Sequence, residues 1–178
     1  MLLERIDLLD QLLEQHRDVL GADFTPYRNH CSRVVNFCAA LSSSDGEPLR
    51  KMAIAAAFHD LGIWTDRTFD YLPPSERLAS DYLITQVRPD WIVEITAMIG
   101  QHHKLRPYRE EPAVLVEAFR KADMVDVSMG LVRYGLPRAF VKEVLAAFPN
   151  AGFHKRLVQL FAKRMRTHPL SPMPMIRW

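Results

Sequence analysis

The sequence predicts an all-α fold, and three observations carry that reading. Apolar residues recur every three or four positions through most of the chain, no convincing strand pattern interrupts them, and only 7 of the 178 residues are glycine. Most of the 12 prolines fall between the periodic segments or in the last ten residues, which leaves room for long uninterrupted helices. With 48% hydrophobic and 25% charged residues, the composition is that of a globular protein and excludes disorder, a collagen-like chain and a membrane bundle. A chain of 178 residues suits one core, so a single domain over 1–178 is expected.

The elements follow in order. Leu2, Ile6, Leu9 and Leu13 predict a first amphipathic helix that Gly21 ends. Asp23 or Thr25 can cap the second, with Pro26 in its first turn, and His30, Val34, Cys38 and Leu41 form its inward stripe. Residues 42–48 read as a loop. Leu49 to His59, rich in Ala53, Ala55, Ala56 and Ala57, suits a tightly packed central helix, with Gly62 at its C-terminal stop. Residues 63–74 read as an irregular connection, and a helix starts at Ser75 and runs to about Gln86. Pro89 opens a helix whose Ile92, Ile95, Ile99 and His102 share a face, and Pro112 opens another that aligns Val116, Phe119 and Asp123 with Asp126 or Val127. Two last helices, near 137–148 and 153–166, precede a proline-punctuated tail.

The net charge of +2 is unevenly spread. No acidic residue follows Glu143, whereas Lys155, Arg156, Lys163, Arg164, Arg166 and Arg177 do. A basic tail can meet phosphate, nucleic acid or an acidic partner. The simpler reading is the solvated outer face of a last helix, because the aromatic and basic interleaving of a single-strand groove is missing. No nucleic-acid partner is therefore expected. Cys31 and Cys38 are seven residues apart in a helix, about 10 Å at ~1.5 Å per residue, too far for a disulfide. No stretch resembles a signal peptide or reaches the ~20 apolar residues of a membrane span. A cytoplasmic location without a membrane partner is the expectation, and a homodimer is left open.

Polar residues on otherwise apolar faces need partners, since a buried unpaired group costs several kcal/mol. His30 lies on an inward stripe, His59 and Asp60 end the Ala-rich helix, His102 ends the Ile stripe and Asp123 sits among Val116, Phe119 and Val127. Each alone fits a satisfied core residue or a cap. Together, imidazoles and carboxylates make a mixed nitrogen and oxygen donor set for a divalent metal such as Mn²⁺, Fe²⁺, Co²⁺, Ni²⁺, Zn²⁺ or Mg²⁺.

The order His30, His59-Asp60, Asp123, with Tyr27-Arg28-Asn29-His30-Cys31-Ser32-Arg33-Val34 around the first and Ala55-Ala56-Ala57-Phe58-His59-Asp60-Leu61-Gly62 around the pair, resembles the HD superfamily of metal-dependent phosphohydrolases. The likeness covers about residues 24–130, with the C-terminal helices and basic tail over 137–178 beyond it. It implies an all-α bundle with helices converging on one buried divalent metal ion held by His30, His59, Asp60 and Asp123. It also implies hydrolysis of a nucleotide or other small phosphate ester by a metal-activated water, which Asp60 can help to orient. The chain departs from two-metal members, which carry further histidines between the pair and the last Asp; none lies between His59 and His102 here. Ile63 stands where some mononuclear nucleotidases keep a Glu. Proton transfer then falls to His102, with His103, Asp66 and Asp126 as further candidates. Substrate contacts are expected from His103, Lys104, Asp66 and Arg106, the cations holding phosphate oxygens. Trp64, Phe69 and Tyr71 can stack a ring, although packing onto the helices beneath is the simpler reading. Two alternatives stay open: a mononuclear hydratase or hydrolase of a small uncharged substrate, as cyanamide hydratase is, and a non-catalytic sensor module whose metal only holds the helices.

Overall fold

The computed structural model describes residues 1–169, 174 and 175. The fold is all-α, with no strand among the described residues. The helices are α1 (Asp7–Glu14), α2 (Arg17–Leu20), α3 (Phe24–Ser42), α4 (Gly46–Phe58), α5 (Gly62–Thr65), α6 (Leu72–Thr85), α7 (Ile92–Gln101), α8 (Ala113–Val127), α9 (Arg138–Ala147) and α10 (Phe153–Thr167). Short 3₁₀ turns, Gly21–Asp23 and Pro89–Trp91, lead into α3 and α7.

Helix α3 is the axis of the molecule. Its residues from Asn29 to Cys38 are all buried, polar and apolar alike, as befits a helix enclosed on every side. Helices α8 and α4 pack along it, and α1, α9 and α10 close the remaining sides. Helix α7 bridges α4, α6 and α8. The alanines of α4 are all buried, and their small side chains let its backbone approach α3. Tyr27 uses that approach, its hydroxyl donating to the Ala57 carbonyl at 3.1 Å. Met52 and Met98 fill the core, and Cys31 and Cys38 are buried and unpaired. No helix of the described residues is long and apolar enough to cross a membrane.

The structure corrects several boundaries. The first predicted helix is two pieces, broken at Gln15 and His16, and Gly21 closes the second with φ 53°. Asp23 does not cap α3 with its side chain; its carboxylate accepts from the Trp64 indole at 2.9 Å and pairs with Arg156 at 2.8 Å. Helix α4 starts at Gly46, three residues before the predicted Leu49. Gly62 does not stop it in a left-handed turn but opens α5. A Cβ there would lie 2.7 Å from the Tyr71 carbonyl oxygen and 2.9 Å from Pro74, so close approach of the chain, not backbone freedom, requires glycine. Helix α6 begins at Leu72, because Pro73 and Pro74 fit a first turn that needs no amide donors. Trp64 and Tyr71 are buried, as packing onto the helices demands. Helix α10 buries only Phe153, which agrees with a solvated outer face. Arg177 of the tail lies outside the described residues.

Candidate metal centre

Four helices bring the polar residues to one point. Helix α3 carries His30, the end of α4 delivers His59 and then Asp60, and α8 carries Asp123 and Asp126 on one face. His102 and His103 follow the last residue of α7. Tyr27, one turn before His30, also accepts from the Asp60 amide at 3.3 Å and so pins the turn between His59 and Asp60. The Phe153 ring stacks on His30 at 4.1 Å between centroids, so α10 closes the cluster from outside.

The hydrogen-bond partners decide which ring nitrogens carry protons. His59 Nδ1 faces the Ala56 carbonyl at 2.8 Å and His102 Nδ1 the Ile99 carbonyl at 2.6 Å; a carbonyl only accepts, so each Nδ1 donates. His30 Nδ1 likewise donates to Asp126 at 2.6 Å. When these rings are neutral the opposite nitrogens hold lone pairs, and all point into the cluster. His30 Nε2 lies 2.9 Å from His59 Nε2, 3.6 Å from an Asp123 oxygen and 3.8 Å from an Asp60 oxygen. His59 Nε2 is 3.3 Å from Asp60, and His102 Nε2 is 3.4 Å from its other oxygen. That oxygen and His102 Nε2 are buried without a hydrogen-bond partner.

With neutral rings such a shell consists of acceptors facing acceptors, and a raised His102 relieves it only by keeping a proton toward Asp60. A proton shared between His30 and His59 would satisfy two of these atoms, whereas a divalent cation can take lone pairs from His30, His59 and Asp60 together. The spacing fits: ligands about 2.1 Å from a common ion and at right angles are about 3.0 Å apart. His30, His59 and Asp60 offer ligand atoms within 4.8 Å of one another, and Asp60, His102 and His103 do the same. Two donor groups therefore share Asp60. The first is the set read from the sequence with Asp123 beside it, and the second is new.

Outside this shell, Asp126 holds His30 in place. Its carboxylate also takes two hydrogen bonds from Arg33, one at 2.9 Å, and Arg33 is itself fully buried. Burial opposes the Asp126 charge, but Arg33 and His30 outweigh it and hold its pKa at about 2. Burial pushes His59 down to about 3, which keeps it neutral and ready to donate a lone pair. Burial also raises Asp123 to about 6. Asp60 moves the other way: burial disfavours its charge, but the neighbouring imidazoles, His59 foremost, hold it below the usual carboxylate range. His102 is raised despite burial, through Asp60 and Asp123.

The remaining sequence candidates separate. His103 joins the cluster, with Nδ1 3.8 Å from Asp123 and a quarter of its side chain exposed, so it marks the opening. Lys104 turns its ammonium toward the Tyr108 ring at 5.6 Å. Asp66 is held on the surface by Arg77 at 2.9 Å and by the Thr65 hydroxyl. Arg106 is exposed. Sequence reasoning missed Tyr71 as a polar group of the opening: its hydroxyl meets His103 Nε2 at 2.6 Å. It also missed Phe153 and Arg33; a buried arginine on an apolar helix, one turn from His30, was the available signal for the latter. Compared with known proteins, the chain matches no family model, no curated protein and no solved structure.

Proposed function

We propose that the chain is a metal-dependent hydrolase of the HD type, acting on a nucleotide or another small phosphate ester. The observation that carries this reading is the acceptor-only shell of three imidazole nitrogens and two carboxylates. His30, His59, Asp60 and Asp123 would hold the ion. A divalent ion in such a shell supplies Lewis acidity and makes water acidic enough to attack near neutral pH. His102, fixed by the Ile99 carbonyl, presents a free Nε2 beside Asp60 and is placed to take a proton. Tyr71 stays a neutral phenol because burial and the Asp60 and Asp123 charges raise it, and with His103 it can donate to a leaving oxygen at the opening.

One observation favours a second reading, a hydratase or hydrolase of a small uncharged substrate. Lys104 faces Tyr108, and the Arg33 charge is taken up by Asp126, so neither brings a free cation to the opening. A panel of phosphomonoesters, phosphodiesters, nucleotides and cyanamide, each assayed with single divalent metals, separates the readings. Metal-dependent phosphate release that falls about 10²-fold or more in His102→Ala supports the proposal. Turnover of cyanamide alone supports the second reading. A protein that retains metal but turns over nothing is a non-catalytic holder.

A further inference from the structure

One cation of the C-terminal segment, Lys163, has a place in the fold that a solvated helix face does not explain, because it shares a concavity with Arg67 of a distant loop. A groove of about 410 Å³ runs between the loop after α5 and the C-terminal half of α10, within the range of about 300–1,000 Å³ usual for small-molecule sites. Arg67 and Thr68 line it from the loop, and Lys163, Arg164 and His168 line it from the end of α10. No lining residue is acidic. Neither Arg67 nor Lys163 has an acidic partner among the described residues, in contrast to Arg156 earlier on the same helix, which pairs with Asp23. Arg67 also holds a left-handed backbone, φ 53°, which non-glycine residues rarely adopt. Like charges brought from two elements to one concavity repel, and an anion between them relieves the repulsion. Ile63, Phe69 and Leu160 add apolar lining from α5, the loop and α10. Phe69 is half-buried, so its ring both rests on the fold and faces the groove.

We propose that this groove is a binding site for an organic phosphate, a nucleotide-like molecule whose phosphates meet Arg67 and Lys163 and whose ring lies on Phe69. Guanidinium and ammonium groups bind phosphate oxygens through charge-assisted hydrogen bonds, and an aromatic face accepts any flat ring. The site is built on α10 and the α5 loop and does not use the His/Asp shell. Phe69 touches Tyr71 edge to face at 6.2 Å, and Tyr71 in turn reaches His103, so the groove adjoins the cluster opening without sharing its ligands.

Calorimetric titration of the full chain with adenosine triphosphate, tripolyphosphate and adenosine tests the assignment. Adenosine triphosphate should bind, tripolyphosphate more weakly, and adenosine not measurably. The exposed double variant Arg67→Glu/Lys163→Glu should weaken adenosine triphosphate by about thirty-fold or more, the loss of two charge-assisted contacts, with circular dichroism and metal content unchanged. Phe69→Ala should remove most of the advantage of adenosine triphosphate over tripolyphosphate. With chelator present throughout, so that no ion fills the His/Asp shell, the native chain should still bind adenosine triphosphate, and the double variant should still lose it. Wild-type affinity in the double variant overturns the proposal. So does loss of all binding in chelator, which would place the ligand at the metal shell, or displacement by a single-stranded oligonucleotide about a hundredfold more tightly bound, which would make the groove part of a nucleic-acid surface.

Discussion

Helices α3 and α10 carry their polar residues in opposite ways. On α3, Asn29, His30, Ser32, Arg33 and Asn36 are buried, and each has defined partners: Asn29 donates to the Pro149 carbonyl, Asn36 binds Leu3 through both its carbonyl and its amide, and Arg33 grips Asp126. The inward nitrogen of His30 is the exception, meeting only other acceptors. On α10, by contrast, the polar residues are largely exposed and Phe153 alone is buried. Burial makes the α3 positions exacting, because each lost partner leaves a group with no water to replace it. The α10 charges carry little stability, and their importance rests on what they bind.

This contrast can be broken at graded cost. Arg33→Ala strands the Asp126 carboxylate in the core and should destabilise the fold by about 3–5 kcal/mol, read as a large fall in Tm or in the denaturant midpoint. Arg33→Lys should rescue little, since one ammonium cannot reproduce the two-point grip. Gly62→Ala forces a methyl against the Tyr71 carbonyl and should cost about 1–3 kcal/mol. Glu117 lies between the two extremes, partly buried and bound to Arg120 and to the Tyr108 amide. Burial disfavours its charge, but these donors hold its pKa at about 2, below the ordinary 4.5. Its contribution is complete above pH 4.5 and fades as pH falls toward 2. Glu117→Gln should remove on the order of 1 kcal/mol at neutral pH and flatten that acid limb, as denaturation at stepped pH would show. Lys163→Ala should change stability by no more than about 0.5 kcal/mol.

The all-α class was legible in helical phase, which also puts His30, His102 and Asp123 on apolar stripes, whereas their meeting with His59 and Asp60 was implied by the family likeness of the residue order. The helix that would carry Asp126 was legible too, although its hold on both His30 and Arg33 was not. Tyr71 and Phe153 escaped for a different reason. Tyr71 sits before two prolines, outside any periodic segment, and Phe153 reaches His30 from a helix that is otherwise solvated. Contacts made by long-range packing leave no local period to read. Gly62 misled because a glycine needed for close approach looks, in sequence, like one needed for a left-handed stop.

Metal analysis of the purified chain, after reconstitution with single divalent ions and dialysis, tests the acceptor-only shell most directly, with Asp60→Ala as the comparison. One ion per chain through His30, His59, Asp60 and Asp123, or two if the Asp60, His102 and His103 group also fills, is the predicted result, lost in the variant. A folded chain that takes up no ion, or an Asp60→Ala variant that keeps the full complement, would contradict it.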